Sequence, residues 1–119
     1  MLEQRIQQHF IDSADLKYQA AQALSAPIAA AVQAILACVT SGGKVLACGN
    51  GPSAAEALQF AAFCVAGFER DRPELAALAL TSDSTLLTVA GGGSDVAQQF
   101  ARQVRALGQA GDVLLALSV

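Results

Sequence analysis

Lys44–Phe60, KVLACGNGPSAAEALQF, is the stretch whose reading decides the fold. Lys44-Val45-Leu46-Ala47-Cys48 is a short apolar run after the Gly42-Gly43 break, the pattern of a parallel strand covered on both faces. Gly49 and Gly51 permit a tight turn, and Ala54-Ala55-Glu56-Ala57-Leu58 is a run of strong helix formers. Ser53 reads as the N-cap of that helix, whose first amides have no partners within it. The natural guest of such a helix start is an oxyanion, above all a phosphate.

On the N-terminal side, Leu2, Ile6 and Phe10 recur along a polar segment that reads as a helix to about Leu24. A second helix is expected from Ser25, with Pro27 in its first turn and Ile28, Val32, Ile35, Leu36 and Val39 along one face, ending at Gly42-Gly43. Two helices exceed what a small sheet can use. Residues 1–41 are therefore expected to form a helical hairpin whose Ile28, Val32, Ile35, Val39 face is buried between chains, in a bundle built from several copies.

On the C-terminal side, the helix is expected to run through Phe60 and Phe63 to about Ala66, followed by the charged connection FERDRPEL. Ala76–Leu80 reads as a second strand. Thr81-Ser82-Asp83-Ser84 caps a short helix through Leu86 and Val89, and Gly91-Gly92-Gly93 reads as a flexible break. Ser94 or Asp95 is then expected to cap an amphipathic helix with Val96, Phe100, Val104 and Leu107 inward. Asp112–Leu117 reads as a third strand. Strand, helix, strand, helix, strand at this spacing, over residues 44–119, is an α/β arrangement with a parallel, three-layer sheet. Ser118-Val119 falls at the mouth of the next strand-to-helix loop, where open parallel sheets place ligands. The chain therefore reads as the first half of a larger doubly wound domain, with apolar sheet surface left to be covered.

Composition bounds the possibilities. A chain of 119 residues, 54% hydrophobic and 14% charged, is expected to form one ordered domain with a sizeable core. Its formal charge of −3 gives no basic footprint for nucleic acid. No apolar run is read as reaching the ~20 residues of a membrane span, and the polar MLEQRIQQHF start is not a signal peptide. The expected location is the cytoplasm, without membrane contact. Cys38, Cys48 and Cys64 are far apart and lack Cys-x-x-Cys spacing, so they read as buried, reduced thiols.

The loop Gly49-Asn50-Gly51-Pro52-Ser53-Ala54 also fits the G-x-G-x-x-A form of the dinucleotide fingerprint, a weak signal alone. Against that reading, two helices precede the strand and Pro52 removes one amide from the cradle. The G-x-x-x-x-G-K pattern of a Walker loop is absent. A glycine turn that merely links strand to helix remains the bland reading.

The segments CGNGPSAAEALQFAAFCVAGFERDRPELAALALTSDSTLLTVAGGG and FARQVRALGQAGDVLLALS resemble the SIS (sugar isomerase) domain of the phosphoheptose isomerase family, including its DnaA initiator-associating branch, DiaA. The likeness covers almost the whole chain as a single SIS-type domain. It implies a flavodoxin-like fold, homotetramers with sites at subunit boundaries, and a sugar phosphate ligand of the sedoheptulose 7-phosphate class. Ser53 matches the family serine that helps hold the phosphate, and Asn50 and Gly51 match its loop. Asp83 matches an aspartate near the substrate. Ser118 matches the first serine of a second phosphate loop, although Val119 stands where the family has threonine.

The departures bear on chemistry. The resemblance implies a metal-ligand histidine, a glutamate serving metal and proton transfer, and an arginine, at the places that hold Gln59, Phe63 and Gly67. These lie at helical steps on one face. Phe63 can neither accept a proton nor ligate a metal, and the aldose–ketose isomerisation needs a base. Gly92-Gly93 replaces a GND motif. Glu56 and Glu69 read as solvated, and His9 as isolated on the first helix. No catalytic residue, metal ligand or cofactor is assigned, the family zinc site being read as lost. Three functions follow: a non-catalytic sugar-phosphate binder or DiaA-like partner of the replication initiator DnaA, an active phosphoheptose isomerase, or a truncated relic.

Overall fold

The computed structural model describes residues 1–90 and 97–119. The Gly91-Gly92-Gly93 break, the Ser94 or Asp95 cap and Val96 lie outside the described residues. Two compact units are present, Met1–Ala34 and Ile35–Val119.

In place of the expected hairpin there is one continuous helix, α1, Leu2–Thr40. A hairpin between helices needs a short loop of residues that leave helical geometry, and Leu24-Ser25-Ala26 offers none. Alanine-rich segments on both sides favour continuation. Pro27 lies inside the helix, where it lacks the amide that would reach the Ala23 carbonyl and its ring crowds that carbonyl, a cost the rest of the long helix outweighs. The Ser25 hydroxyl donates to the Ala21 carbonyl one turn earlier, so it does not serve the Ala23 carbonyl that Pro27 leaves without its amide.

The Met1–Ala34 unit leaves its large side chains in solvent: Phe10 is 72% exposed, Ile28 58% and Val32 49%. The helix also corrects the expectation that no apolar run reaches membrane length. It contains an 18-residue window of mean hydropathy 1.9, long and apolar enough to cross a membrane by length and composition. Gln19, Gln22 and Gln33 interrupt its uncharged part, and one such helix is weak evidence for a span.

In the Ile35–Val119 unit, strand β1 (Val45–Gly49) lies at the centre of a sheet ordered β2-β1-β3. Strands β2 (Ala77–Ala79) and β3 (Val113–Leu117) both run parallel to it. All five β1 residues are buried, as a strand covered on both faces requires. Side chains alternate along it. Leu46 and Cys48 face one side, where with Leu80 they form the core cluster on which Phe100 and Val104 of helix α4 (Gln99–Leu107) pack. The other side meets helix α2 (Pro52–Ala66), whose Ser53, Ala57, Ala61 and Cys64 are buried. Helices on both faces give the expected three layers. Of the residues expected inward on α4, Leu107 is instead 41% exposed.

The outer strand β3 leaves Leu114 51% exposed, the uncovered apolar sheet surface expected of a half-sheet. All three cysteines are free and buried. Burial raises the thiol pKa of Cys48 and, against the opposing Arg72 charge, that of Cys64. Both are therefore poor nucleophiles.

At the amino end of the sheet, Lys44 Nζ meets Asp112 Oδ2 at 2.7 Å, and the Lys44 amide donates to Asp112 Oδ1 at 3.0 Å. The Gln109 amide donates to Oδ2 at 2.8 Å. The Lys44 side chain first, then the Lys44 and Gln109 amides, hold the Asp112 carboxyl down from 3.8 to about 2. A carboxylate with a depressed folded pKa stabilises the fold above its unfolded pKa and loses that contribution as pH falls through the folded one. Stability should therefore decline from about pH 4 to about pH 2. In Asp112→Asn this component should vanish, read as a flatter urea midpoint across that window. An unchanged slope would discount the contact.

Candidate functional site

The glycine loop turns the chain from β1 into α2. Gly51, at φ 58, is the N-cap and Pro52 opens the first turn, with no side-chain cap bond. Ser53 is thus not the cap expected from the sequence. Proline prefers the first helical position, where its missing amide costs nothing, and this makes Ser53 the second residue of the helix. Its amide is already engaged, donating to the Asn50 carbonyl at 3.1 Å. Its hydroxyl is what remains for a ligand.

That hydroxyl lines a cleft of about 380 Å³ at the carboxyl ends of β1 and β3, walled by Cys48, Gly49, Asn50, Phe100 and Ser118 among others. The volume lies within the roughly 300–1,000 Å³ of small-molecule sites. In a sheet ordered 2-1-3 the crevice between β1 and β3 is the topological switch point, where open α/β sheets bind ligands. Ser53 as a residue is only 4% exposed. Among the described residues its hydroxyl has no hydrogen-bond partner, yet no buried side-chain polar atom lacks one. The Ser53 oxygen therefore opens onto the cleft.

Asn50 stands at the rim, where its Oδ1 accepts from Gln99 Nε2 at 2.9 Å. Gln103, 6% exposed, donates from Nε2 to the Leu80 carbonyl at 2.8 Å and the Gln99 carbonyl at 3.1 Å. These bonds tie the start of α4 to the end of β2. The structure thus brings Asn50, Ser53 and Ser118 to one cleft, with Gly51 in the loop between the first two.

Asp83 does not join them. Its Oδ1 accepts from the Leu86 amide at 3.0 Å, capping the short helix α3, Ser84–Ala90. No motif in the sequence marks Gln99 as functional. Its signal was local, a glutamine at the opening of an amphipathic helix, but nothing in the sequence links it to Asn50.

Two other hollows match the cleft in size, about 400 Å³ along Ala66–Asp71 and about 410 Å³ beside Leu2, Arg5 and His9. Each is built from a single continuous segment. Of these three, the cleft alone draws polar groups from the ends of β1 and β3 and the start of α2.

Along α2, Gln59 is exposed, and the Phe63 ring lies 4.7 Å from that of Phe68 at a tilt of 40°. A carboxamide and a phenyl ring do not fit the donor set of a zinc ion, which takes imidazole, thiolate or carboxylate. No group of three or more His, Cys, Asp or Glu able to hold a metal occurs among the described residues. Glu56 and Glu69 are solvent-exposed.

Residues 8–119 match the SIS domain family, and the chain belongs to it. Within that family it is 62% identical over 118 residues, 99% of its length, to a phosphoheptose isomerase of Methylibium petroleiphilum, and 54% identical over 114 residues to one of Aromatoleum aromaticum. The chain spans 59% and 58% of those two relatives. The solved phosphoheptose isomerase of Neisseria gonorrhoeae superposes with a TM-score of 0.91 at 43% identity, over 100% of this chain and 61% of that one. The phosphoheptose isomerase of Francisella tularensis superposes with a TM-score of 0.92 at 39% identity.

Proposed function

We propose that this chain binds the phosphate end of a sugar phosphate of the sedoheptulose 7-phosphate class in the cleft at the ends of β1 and β3, without catalysing its isomerisation. The observation that carries the reading is the Ser53 hydroxyl, enclosed in the first turn of α2, without a hydrogen-bond partner among the described residues, and open to the cleft that Asn50 and Ser118 also line. The start of α2 favours an anion through its dipole rather than through free amides, since Pro52 has none and those of Ser53 and Ala54 donate to the Asn50 and Gly51 carbonyls. Asp83 belongs to the reading only through family resemblance, since its carboxylate is engaged in capping α3. Proton transfer between adjacent carbons needs a base, and Phe63 stands where the family resemblance calls for one. No metal or cofactor is part of the proposal.

Titration with sedoheptulose 7-phosphate tests it. Gly49, Gly51 and Ser53 amide resonances should shift with a dissociation constant near ~1 mM, about −4 kcal/mol, and turnover should be absent. Unmoved loop amides would refute the binding.

A second reading, an active phosphoheptose isomerase, is favoured by the names of the relatives at 62% and 54% identity. Measurable turnover in the same experiment would establish it.

The apolar face of α1 belongs to the same proposal. Ile28, Val32 and Leu36 are each about half exposed, and burying them against further copies would remove apolar surface from water. A tetramer in the cytoplasm is the expected state, and light scattering that finds a stable monomer would exclude it. An emptied site on such a scaffold also suits a DiaA-like role, with the initiator DnaA as its protein partner.

A further inference from the structure

A primary carboxamide carries an acceptor oxygen on one side and a two-proton donor on the other. Its terminal torsion is broad and roughly two-fold, so an unrestrained asparagine presents either side to a ligand at little cost. Asn50 is not unrestrained. Its Oδ1 is taken by Gln99 Nε2 at 2.9 Å, which leaves Nδ2 as the group available at the rim of the cleft. The main chain at Gln99 is in turn anchored, because its backbone carbonyl accepts from Gln103 Nε2 at 3.1 Å, and that nitrogen also reaches the Leu80 carbonyl at 2.8 Å. Gln103 is buried. A line of hydrogen bonds thus runs from the end of β2 through α4 to a side chain of the glycine loop.

We infer that Gln99 is a positioning residue that sets the hydrogen-bond polarity of the cleft: by donating to Asn50 Oδ1 it turns the Asn50 amide nitrogen towards the ligand, so that the site takes the acceptor oxygens of an oxyanion. The inference rests on the phosphate-binding reading above. Gln99 does not line the cleft and so acts through Asn50. With Asn50 Nδ2 and the Ser53 hydroxyl both donating, the cleft offers donors from the ends of β1 and α2 to one anion. A reversed Asn50 would place a carbonyl oxygen against phosphate oxygens and repel them.

The test uses the whole chain, with inorganic sulfate as the probe because its double charge is constant between about pH 4.5 and pH 7. Binding is followed on the Gly49 and Gly51 amides and on the Asn50 Nδ2 proton pair. Gln99→Ala frees the Asn50 carboxamide and should weaken binding roughly two- to tenfold, the weight of one neutral hydrogen bond. Gln99→Glu should do more than remove a bond. As a carboxylate it only accepts, so it draws Asn50 Nδ2 to itself, turns Oδ1 to the cleft, and should weaken binding by more than about tenfold at pH 7. Near pH 4.5 a glutamate of ordinary pKa ~4.3 is about half protonated and donates again, so Gln99→Glu should recover towards Gln99→Ala. Plain repulsion of the dianion by a carboxylate at 99 would recover in the same way, so the Asn50 Nδ2 protons decide: they should cease to respond to sulfate in Gln99→Glu at pH 7 and respond again near pH 4.5 only if the carboxamide has turned, and a response that persists at pH 7 would overturn the inference. Amide resonances in α1 and at Lys44 report whether each variant remains folded. Sulfate binding that is unchanged in Gln99→Glu, or equally and pH-independently weakened in both variants, overturns the inference while leaving the phosphate reading intact. A wild-type chain that binds neither sulfate nor sedoheptulose 7-phosphate overturns the phosphate reading, and this inference with it.

Discussion

Replacing Gly49 with alanine is expected to destabilise the chain by roughly 1–3 kcal/mol, the usual cost of overpacking a filled interior, and to abolish ligand binding. A Cβ at that position would stand 2.7 Å from the Ser53 carbonyl oxygen and 2.8 Å from the Ser53 carbonyl carbon and Cβ. Two of those three atoms are backbone in the first turn of α2, which cannot swing aside as the tip of a long side chain can. Either the end of β1 or the start of α2 must move. β1 is buried along its whole length between β2 and β3, so α2 is the element that gives way, carrying Ser53 out of the cleft. Gly51 offers the control. Nothing lies within 4 Å of a Cβ there, and because its φ 58, ψ −129 falls outside the left-handed α well in a region that favours glycine, an alanine costs backbone strain of about 1–3 kcal/mol, with no clash to displace the helix. Urea denaturation of both variants, followed by sugar-phosphate titration of the folded fraction, separates the two effects. A Gly49→Ala chain with the wild-type midpoint and wild-type binding would show that the contact between β1 and α2 is looser than these distances imply.

Ser53→Ala is expected to reduce phosphate binding by about 1.5–3 kcal/mol, the weight of a hydrogen bond to a charged group. Starting from a dissociation constant near ~1 mM, the loss carries binding beyond practical detection. Stability should change little, because the Ser53 hydroxyl has no partner within the described residues and its amide bond to the Asn50 carbonyl is independent of the side chain. The variant thus removes a ligand contact without removing a structural one. Retained sedoheptulose 7-phosphate binding in Ser53→Ala, with the same shifts at Gly49 and Gly51, would move the phosphate elsewhere in the cleft. A loss of stability equal to the loss of binding would instead make Ser53 a packing residue of α2.

Much of the Ile35–Val119 unit was legible in the order of residues. The apolar run before Gly49 could only be a covered strand, and the helix formers after Pro52 could only continue as a helix. Asp83 was readable as part of a helix start, and it caps α3. The same letters misled where the outcome depended on a balance. Pro27 after Ser25 is a good helix opening, but it is also tolerated inside a long alanine-rich helix, and propensities that accumulate over many residues overrode one local signal. Ser53 has the composition of an N-cap, yet Pro52 took the first helical position and Gly51 the cap. Asp83 resembles a ligand-site aspartate, but the nearest unsatisfied donor is the Leu86 amide of its own helix, and a local bond forms without ordering any distant element.

By itself the sequence determined what is periodic or local: the α/β class, the three strands, the glycine turn, the amphipathic α4 and the absence of a base where Phe63 stands. Each depends on residues close together in the chain, whose preferences act before any tertiary contact exists. Only the tertiary structure decided the β2-β1-β3 order that opens a crevice between β1 and β3, and the meeting of Ser53 with Ser118 across it. It alone decided the bond from Gln99 to Asn50, between side chains far apart in sequence. Such contacts depend on where the packing of Phe100 and Val104 on Leu46, Cys48 and Leu80 sets α4 down, because side-chain hydrogen bonds of this kind require a fixed geometry within a few tenths of an ångström and the core supplies it.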